Sequence, residues 1–172
     1  PAVVQLRAFR EIAEMTERAV TWLLTRMGND LDINKGIAAF EKGVAAAAMS
    51  MAQLNRYAME SMIQYPVHAC TDITGFGLLG HAFEIAIASG VALELDSAAI
   101  PFFPEAEAAA GMGLVPAGAY ANRAYLNTVS FHSAVSVNIQ DLLFDPQTSG
   151  GLLISIPPEQ ERNMIGAMTA AG

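Results

Sequence analysis

Leu6, Phe9, Ala13, Val20, Leu23, Leu24 and Met27 recur at helical spacing, while Arg7, Glu11, Glu14 and Arg18 fall largely elsewhere. Apolar side chains at that period share one face, so the pattern predicts a long amphipathic helix. Glu14 and Arg18 add an i,i+4 pair in the favourable order. Gly28-Asn29 stops this helix, and Asp32 or Asn34 can cap a second one. Gly36 and Gly43 weaken its start, but the Ala- and Met-rich run continues to Gln64, with Pro66 closing it. Its apolar stripe includes Ala47, Met51, Leu54, Ala58 and Met62, which reads as core filling.

Beyond Pro66 the period shortens. Val67 to Thr71, ending at Asp72, predicts a strand, and Leu78 to Ser89 a helix with Gly90 at its C′ position. Val91, Leu93 and Leu95 alternate as in a strand. A Pro-rich passage from Pro101 to Gly118 leaves room for a short helix near Glu105 to Ala110, and Tyr120 to Leu126 predicts another. Phe131 to Val137 is a weakly patterned strand candidate. Leu152 to Ile156 is an almost wholly apolar one, and Pro157-Pro158 opens a last helix over Glu159 to Ala171. Helices layered on a sheet follow, in a mixed α/β or α+β fold.

Composition narrows the function classes. The 172 residues are 53% hydrophobic and 15% charged, which excludes a disordered linker. Nine Lys and Arg against 17 Asp and Glu leave a net charge of −8. Such a chain lacks the basic footprint for nucleic acid and has no charge attraction to an anionic membrane. No apolar run is long enough to span a bilayer, and the start lacks a basic segment followed by an apolar one. The single cysteine, Cys70, excludes an internal disulfide. A cytoplasmic protein is expected. The opening on Pro1 and the stop at Gly172 suggest a piece of a longer chain.

Two loops offer chemistry. Thr71-Asp72-Ile73-Thr74-Gly75-Phe76-Gly77 places a carboxylate at a strand end, followed by glycines and a helix start. Bare backbone N–H groups and a helix N-terminus favour an anion, and a carboxylate can hold a hard cation such as Mg²⁺. The plain alternative is a capped turn at Asp72 and Thr74, with Gly75 and Gly77 allowing tight packing. No Gly-Lys-Ser/Thr follows, so this is not a Walker loop. The second loop, Asp145-Pro146-Gln147-Thr148-Ser149-Gly150-Gly151, can form an anion nest or merely a tight entry to the strand after it. His68, Cys70 and Asp72 share one strand face, with His81 near in sequence. Their spacing matches no zinc pattern, and a lone cysteine in an apolar strand reads as inert core. His132, standing alone, reads as structural.

The combination resembles one family. His68-Ala69-Cys70-Thr71-Asp72-Ile73-Thr74-Gly75-Phe76-Gly77-Leu78-Leu79-Gly80-His81 is similar to one signature of the selenophosphate synthetases (selenide, water dikinases). Asp145 to Leu153 is similar to the second, and Met51 to Asn55 and Gly118 to Tyr125 match in position and character. The aspartate–glycine motif alone also resembles related ATP-using enzymes of the aminoimidazole ribonucleotide synthetase superfamily. The resemblance runs from about Met49 onward. It implies an α+β fold, a layered α/β/α C-terminal domain with a mixed sheet flanked by helices over 49–172. Residues 1–48 are expected to form a variable N-terminal helical region.

The implied reaction turns ATP, selenide and water into selenophosphate, AMP and orthophosphate, with Mg²⁺ as cofactor. The resemblance implies that Asp72 is a metal ligand, that Thr74, Gly75 and Gly77 shape the phosphate loop, and that the second loop, Thr148, Ser149, Gly150 and Gly151, supports the domain interface without an assigned contact. The family's reactive cysteine or selenocysteine, its lysine and most of its aspartates belong to an N-terminal half that nothing here matches. No catalytic residue is therefore assigned, and the chain alone is expected to be inactive; the parent enzyme is expected to be a homodimer. Two alternatives remain open: a superfamily enzyme with a different acceptor, or a non-catalytic module that pairs through apolar surface.

Overall fold

A computed structural model of the chain describes residues 33–171, with side-chain environments from residue 41. The helix expected over Leu6 to Met27, including Phe9, Trp22 and the Glu14–Arg18 pair, lies outside the described residues. The chain divides after Ala48 into two units. Helix α1 (Ile33–Ala52) accounts for the described part of the first, as its alanine-rich sequence favours.

The helix expected to run on to Gln64 is interrupted. Gln53 to Asn55 leave the helix, and α2 (Arg56–Met62) follows, with Arg56 bonded to Glu60 at 2.7 Å. The break has a tertiary cause: the Asn55 side-chain amide donates to the Gly150 carbonyl, 95 residues on, at 2.9 Å. Leu54 consequently faces solvent instead of joining a core stripe.

The described sheet has two strands, β1 (Ala69–Asp72) and β2 (Leu152–Ser155), paired antiparallel with Ala69 opposite Ser155 and Asp72 opposite Leu152. The α+β class holds; the mixed sheet does not, among the described residues. Val91 to Leu95 and Phe131 to Val137 join no ladder there. Gly90 takes a left-handed turn (φ 65°) that closes α3 (Gly77–Ser89), and the chain then runs on with Val91 and Leu93 exposed. In the other segment a local cap wins over weak strand patterning. Ser136 Oγ accepts the Ile139 N–H at 3.3 Å and starts α6 (Val137–Leu143).

Helices α4 (Pro104–Gly111) and α5 (Ala117–Tyr125) lie between those segments. Pro104 opens α4, a position where its missing N–H costs nothing. After β2, a 3₁₀ turn (Pro158–Gln160) leads into α7 (Glu161–Ala171), which packs on α2; Tyr65 Oη donates to the Asn163 carbonyl at 3.1 Å. The core comprises Leu79, Ala119, Leu126, Leu143 and Phe144. Phe144 is 1% exposed and meets the Phe131 ring edge-on at 5.9 Å. Burying such a side chain contributes about 1.5–3 kcal/mol. Phe144 immediately precedes the second loop, so this core anchors that loop against α3.

Candidate functional site

The strand alternation that places Thr71 inward leaves Cys70 and Asp72 exposed on the other face. His68 is exposed as well. Cys70 is thus not core, because its face of the short sheet is uncovered among the described residues. Partial burial and the neighbouring Asp72 carboxylate push its thiol pKa up, opposite to what a reactive thiolate needs. Among the described residues no three of His, Cys, Asp and Glu converge on a common point. The His68, Cys70 and Asp72 stripe therefore makes no metal cluster there.

The two loops separated by some 70 residues of chain form a single structure. Ile73 N–H donates to the Gly151 carbonyl at 2.9 Å, Gly150 N–H to the Ile73 carbonyl at 3.1 Å, and Gln147 N–H to the Thr74 carbonyl at 3.0 Å. These bonds extend the β1–β2 pairing past the strand ends and lock the second loop onto the first. Gly150 approaches so closely that a β-carbon there would collide with the Ile73 carbonyl oxygen. Gly77 has φ 69°, and a β-carbon would lie 2.8 Å from the Phe144 carbonyl carbon and oxygen. Both glycines are required by packing. Ser149 completes the tight turn with φ 51°, in the left-handed region a serine seldom adopts.

Gly75 differs. A β-carbon on it would meet nothing within 4 Å, and the residue is exposed with an ordinary φ. Neither strain nor packing calls for glycine there. What its absence of a side chain does is leave the backbone beside Asp72 bare. Gly151, equally unobstructed, bares the facing loop. Thr148 and Ser149 lie exposed on that loop.

Several residues without a role in the sequence reading hold this arrangement. The buried Asn122 amide donates to the Gly75 carbonyl at 2.9 Å and the Phe144 carbonyl at 3.0 Å, bridging both loops from α5. Gln147 Nε2 donates to Asp145 Oδ2 at 2.7 Å. Burial raises the Asp145 pKa, and that hydrogen bond pulls it partly back down. His81, on α3, is 7% exposed; its Nε2 lies 3.0 Å from Thr74 Oγ1 and its Nδ1 2.9 Å from Glu84 Oε2. His132, by contrast, is exposed, and its Nδ1 accepts the Ala134 N–H. Asn55 and Asn122 sit inside segments whose family character was recognisable, but no local spacing signals an amide's distant partner.

The sequence model for "AIR synthase related protein, C-terminal domain" matches residues 15–172. The chain belongs to this family. Curated relatives share the AIR-synthase-related segment at high identity. It is 50% identical over 122 residues to selenide, water dikinase 2 of Peptoclostridium acidaminophilum, covering 71% of this chain and 35% of that protein. It is 49% identical over 124 residues to the selenide, water dikinase of Pelobacter propionicus (72% and 36%). With the Clostridioides difficile enzyme the figure is 45% over 123 residues (71% and 35%). The matched segment spans about a third of the length of these relatives. Among the described residues no helix is long and apolar enough to cross a membrane.

Proposed function

We propose that this chain is the C-terminal part of a selenide, water dikinase, an ATP-dependent phosphotransferase yielding selenophosphate, AMP and orthophosphate from ATP, selenide and water. The observation that carries the reading is the fusion of the two motif loops into one bare-backbone edge beside Asp72. The similarity to proteins of that name supports it over a sister enzyme with another acceptor. ATP and selenide are then the substrates, and the working enzyme is a cytoplasmic homodimer that includes an N-terminal half.

The residues present suit Mg²⁺ as one part of its site. Asp72 offers an exposed, hard carboxylate oxygen, and Mg²⁺ accepts one or two carboxylates with phosphate oxygens and water making up the rest. When bound, the ion supplies charge neutralisation for the phosphates. This chain's own contribution is positional. Asp72 is held at a strand end by the Ile73–Gly151 bonding, Gly75 exposes backbone to an approaching phosphate, and the Asn122 amide fixes the loop carbonyls. Thr148 to Gly151 serve as the brace that keeps the first loop in place. One exposed carboxylate cannot by itself assemble a phosphoryl-transfer site.

The test uses the whole protein carrying this chain. Phosphorus NMR follows ATP in the presence of Mg²⁺ and selenide, comparing wild type with Asp72→Asn. Selenophosphate from wild type and a drop of at least about 100-fold in the folded variant is the expected result. ATP consumption only with a different acceptor would move the protein to a sister activity. Equal rates in both proteins would return Asp72 to a turn residue.

A further inference from the structure

We propose that His81 is a positioning residue which, backed by Glu84, fixes the Thr74 hydroxyl as a hydrogen-bond acceptor toward the cation side of the site. The inference rests on the dikinase reading for its functional consequence, but its structural half stands alone. Glu84 caps the chain of three groups, with its carboxylate about half exposed. An ionised carboxylate only accepts, so His81 Nδ1 must carry the proton in that 2.9 Å bond. In the neutral ring Nε2 then has only a lone pair, and the bond to Thr74 can form only if the threonine hydroxyl donates.

The surrounding contacts hold the ring in place. The His81 ring is buried, both nitrogens are engaged, and the Phe76 ring meets it edge-on at 5.8 Å. Thr74 is immobilised at its other end too, its carbonyl accepting the Gly77 and Gln147 N–H groups, each at 3.0 Å. With its one proton committed inward, Thr74 Oγ1 keeps lone pairs but no donor for any ligand. A phosphate oxygen needs a donor; a hard cation or its bound water needs an acceptor. Thr74 stands two residues after Asp72, so the hydroxyl is assigned to the cation, and the bare backbone at Gly75 to the anion.

The first measurement is nitrogen-15 NMR of histidine-labelled whole protein at about pH 8.5, where an ordinary imidazole is neutral. The His81→Gln variant identifies the His81 signals. A protonated Nδ1 with an unprotonated Nε2 is expected, and Glu84→Ala should erode that preference. The opposite tautomer, or none preferred, overturns the proposal whatever the enzyme makes. The second measurement is Mn²⁺ binding, read by electron paramagnetic resonance as loss of free-ion signal. Thr74→Val and Glu84→Ala should weaken it about three- to tenfold, with Thr74→Ser shifting it less than Thr74→Val. The ATP KM at saturating Mg²⁺ should move under about twofold in Glu84→Ala. A role in packing alone would leave cation affinity unchanged, and a raised ATP KM with unchanged Mn²⁺ binding would place the hydroxyl on phosphate; either sinks the assignment. If the protein makes no selenophosphate, the dikinase reading fails while the tautomer and Mn²⁺ results still decide the relay.

Discussion

Three glycines within a few positions of Asp72 have different reasons to exist, and single substitutions separate them. Gly77→Ala combines a left-handed φ with a collision against Phe144 backbone. It should cost at least about 2 kcal/mol in urea unfolding. Gly75→Ala meets open space, so unfolding should shift by less than about 0.5 kcal/mol. On the proposed function its effect should appear as a raised KM for ATP in the whole protein, because a methyl group would shield the backbone proposed to face phosphate. An unchanged KM would show that Gly75 is merely permissive. Gly80 carries a third reason, since a β-carbon there would crowd Phe76 Cβ. Cys70→Ser should leave activity unchanged, the thiol being exposed and its pKa raised. Asp145 gives a pH signature. Burial lifts its folded pKa above the ordinary 3.8, so the folded state binds the proton more tightly than the unfolded chain. The stabilisation is complete below the ordinary value and is lost as pH rises through the raised one. Asp145→Asn should therefore flatten the fall in stability from pH 4 upward and be more stable than wild type at neutral pH, as unfolding curves across that range would register.

At the scale of elements, long-range amides decide what local pattern cannot. Asn122 ties α5 to both loops through two carbonyls. Asn122→Leu should cost about 2–3 kcal/mol, since it strands the buried Phe144 carbonyl as well as removing a donor. Hydrogen exchange should rise at Gly150 and Gln147, whose N–H groups hold the loops together. Loss of stability without that local rise would mean that Asn122 serves the core alone. The helix Gly77–Ser89 and strands β1 and β2 were readable from their periods and from Gly90, because all their determinants are local. The break at Asn55 was not, because its cause lies 95 residues away. Val137–Leu143 was missed for a different reason: Ser136 is a sufficient N-cap signal, but the apolar residues on both sides of it resembled a strand. The same limit applies to the site. Asp72 and the glycines could be singled out from one short motif, whereas Gln147, Asn122 and the His81–Glu84 pair acquire meaning only once the loops are joined.

For the whole molecule, the deciding quantity is how much of a phosphoryl-transfer site one chain can hold. Transfer from ATP needs counter-charge on several phosphate oxygens and an activated acceptor. The described residues bring Asp72 to the bare loop edge and gather no third ligand-type side chain around it. The chain's charge of −8 works against it further, since an acidic protein repels the nucleotide until metal and basic groups intervene. Its cysteine has the wrong pKa direction for selenium or sulfur chemistry. These facts make catalytic silence of the isolated 172 residues a physical expectation. Phosphorus NMR of the isolated chain with ATP, Mg²⁺ and selenide should show no conversion, while circular dichroism of the same sample reports its helices. Conversion that survives Asp72→Asn would trace to a contaminant. Conversion abolished by Asp72→Asn would overturn this expectation, because it would mean that one carboxylate and two joined loops suffice where the matched relatives are about twice as long.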